Sequence, residues 1–188
     1  MNAATLLRAD MRGAPGGGGL KDEFLTAMRS SANSIAVVTT VRAQTPLGMT
    51  VTSWCSLSTD PPSLLVCLNG SSHTAAAILE SGFFCANLLS DTQTHLADVF
   101  AGKAQGDRFA STGWRQLASG APVLEGALAS FDCALTGALR PGSHHICLGE
   151  VRTVLLGTGR PLVYHDCSYG SVHMERFERA KRGDQSLS

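Results

Sequence analysis

Charge is the first thing this 188-residue chain has little of: charged residues make up 16%, and 15 basic side chains are balanced by 15 acidic ones. Without a net field or a basic stripe there is no electrostatic footprint for nucleic acid or an anionic membrane, so neither is an expected partner. No uninterrupted apolar run approaches the roughly 18 residues that argue for a membrane-spanning helix. The N-terminus lacks the apolar core of a secretory signal, which makes the cytoplasm the expected compartment. Six cysteines, Cys55, Cys67, Cys85, Cys133, Cys147 and Cys167, stand far apart with no CxxC pair. They read as buried free thiols in a reducing environment rather than as a disulfide framework. A GxGxxG after a strand is missing too, because Gly16 to Gly19 fall in a glycine-rich leader and not in a strand-to-helix turn, so a Rossmann fold is set aside.

What is present suits one domain with a sizeable core. Residues 1–20 read as a flexible tail, 21–175 as the folded domain and 176–188 as a polar tail. A hydrophobic content of 44% is high for a lone small domain and points to an oligomer that hides part of its surface. From Lys21 to Ala32, Phe24, Leu25 and Met28 recur at helical spacing, with Asp22 and Glu23 in the first turn where the helix dipole favours them. This predicts a short amphipathic helix covering a sheet. Ser34 to Arg42 is a β-branched strand, returned by a turn at Gln44-Thr45-Pro46.

Two stretches then carry the chemistry. In Gly48 to Pro62 small hydroxylated side chains alternate with apolar ones, predicting a strand with Thr50, Thr52 and, past a register shift, Ser53 on one face, and Met49, Val51 and Leu57 on a core face. Gly48 is read as a position needing special backbone freedom. The second stretch is a buried strand at Leu64 to Leu68 running through Asn69-Gly-Ser-Ser-His-Thr74 into a helix at Ala75 to Glu80. Ser71, Ser72 and Thr74 thereby sit at a helix N-terminus, where free N–H groups and the dipole favour an anion. Half-buried strand hydroxyls have a plain structural use as well.

Further along, Gly82 to Leu89 is a strand whose apolar run is broken by Asn87, a buried amide that needs partners from a loop or a ligand. Asp91 to Phe100 reads as an Asp-capped helix ended by Gly102. Lys103 to Gly126 reads as a long loop anchored by Phe109 and Trp114. Ala127 to Leu139, with Phe131, Cys133 and Leu135 on one face, and His145 to Leu156 form a hairpin about Arg140 to His144; short closing strands follow at Pro161 to His165 and Tyr169 to Val172.

Taken together, the Gly48 to Pro62 and Asn69 to Thr74 segments, Phe84-Cys-Ala-Asn-Leu-Leu-Ser90, Leu96 to Gly102, Asp107-Arg-Phe109, Gly142-Ser-His144 and Gly149-Glu-Val151 resemble the flavin reductase-like family, in order and across roughly Lys21 to Val172. The resemblance implies a mainly β, antiparallel FMN-binding split β-barrel with Greek-key-like order and short peripheral helices. It implies an NAD(P)H:flavin oxidoreductase that moves hydride to FMN or FAD and supplies a partner flavin-dependent monooxygenase, acting as a homodimer with flavin at the subunit interface. It places flavin against Pro46, Leu47, Gly48, Met49, Thr50, Thr52 and Ser53, against Cys67, Leu68, Asn69, Ser71, Ser72, His73 and Thr74, and near Asn87, Phe100, Ala101, Phe109 and Tyr169, with Asp107 and Arg108 nearby. His144 is implied to position the nicotinamide, in a Gly-Ser-His where the family commonly has Gly-Asp-His. No Arg or Lys pair can be assigned to a 2′-phosphate, so NADH is expected ahead of NADPH.

Other chemistries fit less well. His144, His145, His165, Cys167 and His173 crowd together but lack closed zinc spacing, so no metal is expected. No cysteine lies in a nucleophile turn for a Cys–His hydrolase. A pyridoxamine-phosphate oxidase-like protein calls for a strongly basic phosphate pocket, against the hydroxyls and single His of the turn here. A non-catalytic flavin-binding or sensing protein of the same fold is the remaining alternative.

Overall fold

The computed structural model describes residues 19–103 and 106–173. The two predicted tails lie almost entirely outside them. In chain order the elements are α1 (Leu20–Arg29), β1 (Asn33–Ser34), β2 (Ala36–Arg42), β3 (Thr45–Val51), β4 (Trp54–Thr59), β5 (Pro62–Asn69), α2 (His73–Ser81), β6 (Phe83–Leu88), α3 (Thr94–Phe100), a 3-10 turn (Arg108–Ser111), β7 (Trp114–Gln116), β8 (Pro122–Leu124), β9 (Ala129–Leu139), β10 (His144–Leu156), β11 (Leu162–His165) and β12 (Ser168–Ser171). A seven-stranded sheet runs in the order β3-β2-β6-β9-β10-β5-β4, and its paired strands are antiparallel.

That order forces the sheet to roll. β3 and β4 occupy opposite edges, yet only Thr52 and Ser53 separate them. Three residue steps from Val51 to Trp54 reach about 10 Å at most, whereas the edges of a flat seven-stranded sheet lie about 29 Å apart. The edges therefore curl towards one another, and no ladder joins them among the described residues. The expectation of one strand from Gly48 onward is corrected to two, broken at Thr52-Ser53. Past the break, Leu57 is 52% exposed instead of in the core.

Bulges between Leu148 and Gly149 and between Val151 and Thr153 bend the long β9–β10 hairpin around this curve. The β2–β3 turn is Ala43-Gln44, both at positive φ, as a tight two-residue hairpin requires; Thr45 and Pro46 already belong to β3. One core, including Val38, Val66, Leu68, Ile78, Phe84 and Cys133, fills the inside of the roll. A second, with Ile35, Val37, Leu89, Leu96, Phe100, Phe109 and Leu162, packs α3 and the following loop on its outside.

Two local expectations are corrected. α3 begins at Thr94 and not at an Asp91 cap, because Asp91 turns away to pair with Arg160 at 2.9 Å. Lys103 to Gly126 is only partly irregular, since β7 and β8 form a small two-stranded flap. Helix α1 forms where predicted but buries none of its residues. Phe24 and Met28 remain 60% and 49% exposed, so this chain's own sheet does not cover the apolar stripe.

Candidate functional site

A cavity of about 590 Å³ opens between the β3 edge, the β5–α2 turn and the loop after α3. β3 supplies Pro46, Leu47, Gly48, Met49 and Thr50; the turn supplies Asn69, Ser71, Ser72, His73 and Thr74; the loop supplies Phe100, Ala101, Gly106, Asp107, Arg108 and Phe109. Segments far apart in sequence thus meet at one edge of the roll.

Each wall has a local cause. Gly48 lies inside a regular strand and does not have positive φ, so the predicted backbone reason is corrected to a steric one. A Cβ there would stand 2.8 Å from Phe100 Cε1 and 3.2 Å from Thr39 Cγ2. The missing side chain lets the Phe100 ring lie against β3. Phe100 in turn meets Phe109 edge-on at 5.1 Å, and Phe109 meets Trp114 at 5.5 Å, so an aromatic ladder carries the loop up from the core.

The β5–α2 turn is built by its own polar side chains. Asn69 Oδ1 accepts hydrogen bonds from the backbone N–H and hydroxyl of Ser71, and Ser72 Oγ accepts from Ala75 N–H at 3.0 Å as the N-cap of α2. The remaining first-turn N–H groups have no intrahelical acceptor, so this wall presents donors and the positive end of a dipole. Gly70 fits because its N–H donates to Ser143 O at 2.9 Å, while a Cβ would lie 3.0 Å from that oxygen.

Several candidates are placed elsewhere. Thr52 and Ser53 lie beside Trp54 and α1, away from this cavity. Thr50 lines it, but its hydroxyl donates to Ala97 O at 2.8 Å and anchors α3. Leu68 is fully buried in the core, and Cys67, on the other face of β5, is half-buried opposite Ile146; neither reaches the cavity. Asn87 resolves towards structure: its amide donates to Val37 O and Thr39 Oγ1, and its oxygen accepts from Leu124 N–H and Ser130 Oγ. It pins β8 to the sheet and is wholly buried. Tyr169 also misses the lining, its hydroxyl donating to Asp98 Oδ1 at 2.7 Å.

That Asp98 carboxyl also accepts from Lys103 at 2.6 Å, and the two hydrogen bonds, with Lys103 first, hold its pKa below the usual range. His144 stands exposed at the start of β10, paired across the ladder with Asn69, its Nδ1 within 2.9 Å of Ser143 Oγ. It neighbours the cavity turn without lining the cavity. No cluster with metal-ligand geometry occurs among the described residues.

Arg108 is the cavity cation that reading by segments did not single out as a ligand. Its Nη1 donates to Gly48 O at 3.0 Å, tying the loop to β3. In the sequence its signal is a lone arginine between Asp107 and Phe109; Asp107 Oδ1 caps the 3-10 turn through Phe109 N–H at 2.9 Å.

Comparison with known proteins gives this geometry a context. Residues 28–173 match the family model described as "Flavin reductase like domain". The "FMN reductase (NADH) RutF 1" of Methylorubrum extorquens is 38% identical over 151 residues, covering 79% of this chain and 75% of that relative. The solved structure of BorF, the flavin reductase component of a bacterial two-component tryptophan halogenase, is 33% identical with TM-score 0.75, covering 82% of this chain and 99% of that one. The flavin reductase HpaC complexed with NADP+ is 27% identical with TM-score 0.74, covering 81% and 98%.

Proposed function

This chain belongs to the flavin reductase-like domain family, and from that premise we propose that it passes hydride from NADH to FMN or FAD and hands the reduced flavin to a separate monooxygenase. It is an NAD(P)H:flavin oxidoreductase, with flavin as substrate and a reduced nicotinamide nucleotide as co-substrate. The observation that carries the reading for this chain is the meeting, in one cavity, of an apolar wall and a donor-rich one. Its volume falls within the ~300–1,000 Å³ of ligand pockets.

The residues fit a flavin in kind. Leu47 and Met49, backed by the buried rings of Phe100 and Phe109, offer apolar surface to an aromatic ring system, while Ser71, Ser72 and the first turn of α2 offer hydrogen bonds to phosphate oxygens. A bound flavin supplies the ring nitrogen N5 that accepts hydride from nicotinamide C4. The chain's task is then to hold two reactants in contact and keep water out, which asks for no nucleophile and no strong acid. His144, beside Asn69 at the turn, is assigned to the nicotinamide nucleotide.

The finer architecture belongs to the same proposal: the rolled sheet as a split barrel, and a homodimer with flavin at its interface. Support for the dimer comes from the uncovered apolar stripe of α1, with Leu20, Phe24, Leu25 and Met28 all exposed.

The test is NADH oxidation by the purified protein with FMN, FAD and riboflavin, beside an absorbance spectrum. Flavin-dependent oxidation is expected, with a raised NADH KM for His144→Ala. No oxidation with any flavin and no quenching of flavin fluorescence would sink the reading, and quenching without oxidation would leave the binding-only alternative.

A further inference from the structure

We propose that Asp98, Lys103 and Tyr169 form a clasp that positions the Phe100–Ala101 wall of the cavity, so that three residues outside the lining tune how tightly flavin is held; this deepens the flavin-reducing reading above and rests on it. The clasp grows out of the way α3 ends. Gly102, at a φ of +82°, turns the chain back, its N–H donating to Val99 O and the Lys103 N–H to Asp98 O, both at 3.1 Å. A left-handed residue with this pair of bonds closes a helix in a Schellman turn. Within the turn, Ala101 stands on the cavity lining and the buried Phe100 ring backs it, so whatever fixes the turn fixes that wall.

The side chains repeat the backbone link. Lys103 Nζ donates to Asp98 Oδ1 at 2.6 Å, and the Tyr169 hydroxyl, from β12, donates to the same oxygen at 2.7 Å. Lys103 Nζ also stands 5.5 Å from the centre of the Tyr169 ring, within the range of a cation–π contact. Its charge meets the negative end of the α3 dipole. The three groups therefore satisfy one another, and each loses a partner when any one is removed.

Tyr169 carries the link onward. Its ring packs 5.6 Å from that of Tyr164 on β11, and both lie against the buried cluster that contains Phe100 and Phe109. On the other side of α3, Thr50 of β3 donates to Ala97 O. The helix is thus held between β3 and the β11–β12 hairpin. The hold on the hairpin side is open to solvent, with the Lys103 and Asp98 side chains 63% and 43% exposed. Exposed pairs of this kind add little to global stability, so the consequence of the clasp is local: it sets where the end of α3 rests.

The measurement is the FMN and NADH KM, kcat and Tm of the wild type, Tyr169→Phe, Asp98→Asn, the double variant, Lys103→Met and Lys103→Arg, with amide exchange at Ala101, Gly102 and Lys103. Tyr169→Phe and Asp98→Asn are each expected to raise the FMN KM by about three- to ten-fold, the effect of one hydrogen bond of ordinary strength. The NADH KM, kcat and Tm should stay near the wild type. The double variant should be no worse than the more affected single one, as expected of residues acting as one unit. Lys103→Met follows the other losses, and Lys103→Arg, which keeps the cation, restores most of the FMN KM. Exchange at the three amides should quicken in step with the KM.

An FMN KM that stays at the wild-type value while exchange quickens would overturn the proposal by making the clasp a surface staple with no bearing on the site. A KM that rises only as Tm falls would overturn it by assigning the effect to general loss of stability, as would equal loss in Lys103→Arg and Lys103→Met. A wild type that oxidises no NADH with any flavin removes the flavin-reducing reading, and unchanged exchange in the variants removes the clasp whether or not that reading stands.

Discussion

Replacing Gly48 with alanine tests the packing on which the cavity depends. The added methyl would stand 2.8 Å from Cε1 and 3.0 Å from Cδ1 of Phe100, and 3.2 Å from Thr39 Cγ2. Neither neighbour is free to give way. Phe100 is 1% exposed and held edge-on by Phe109, while fully buried Thr39 is fixed by its hydroxyl bonds to Pro122 O and Cys85 O. Overpacking of this kind costs about 1–3 kcal/mol. Taking about 2 kcal/mol, a domain of this size should melt about 4–8 °C lower.

Function should move as well, because Gly48 O holds Arg108 and a displaced Phe100 shifts both β3 and the loop. Thermal melts and FMN titrations of Gly48→Ala are therefore expected to show a lower Tm and a raised KM for FMN. Two other glycines separate the effects. Gly170→Ala meets nothing within 4 Å and should melt with the wild type. Gly149→Ala drives a methyl into the Phe84 ring and to 2.9 Å from Cys133 Cβ, inside the roll and off the cavity lining, so it should lose stability while the folded fraction keeps its KM for FMN. A Gly48→Ala variant with wild-type melting and wild-type KM would refute the argument, by showing that Phe100 turns aside freely.

Further outcomes follow from buried polar and thiol groups. Asn87→Ala leaves Leu124 N–H and Ser130 Oγ without their acceptor, and two orphaned groups at about 1–3 kcal/mol each should cost about 2–6 kcal/mol in urea unfolding. Amide exchange over β7–β8 should rise with it; unchanged exchange there would deny Asn87 its pinning role. Burial pushes the Cys133 thiol up to about 12, and burial followed by the charge of Cys67 pushes Cys147 up to about 11, both from 9.0. The unfolded chain therefore gives up these protons from about pH 9 while the folded chain keeps them. Stability is fully present below that pH and falls above it, towards pH 11–12, by up to about 1.4 kcal/mol per pH unit for each thiol. Urea melts between pH 8 and 11 should show a decline that Cys133→Ala makes shallower; an equal slope in the variant would assign the decline to other groups.

Much of the strand content was legible because period-two alternation and turn residues are local signals: Leu64 to Leu68, Gly82 to Leu89 and the β9–β10 hairpin all form close to where the pattern puts them. The Asn69 to Thr74 turn was legible for the same reason, since a capping serine acts on an amide three residues away. Asn87 and Thr50 were ambiguous because a buried amide and a strand hydroxyl look alike in sequence whether they meet a ligand or a distant carbonyl. Their partners, Pro122, Leu124 and Ala97, come from segments 35 to 47 residues away.

The sequence by itself determined most of the elements, the polar turn that caps α2, and the absence of a net charge that would draw a polyanion. Only the tertiary structure decided that β3 and β4, adjacent in the chain, lie on opposite edges of a rolled sheet, that Gly48 is small to admit Phe100, and that Arg108 enters the cavity. The physical reason is range: backbone propensity, capping and turn chemistry act within a few residues, whereas close packing and the pairing of one side chain with a carbonyl 60 residues away exist only once the sheet has closed on its core.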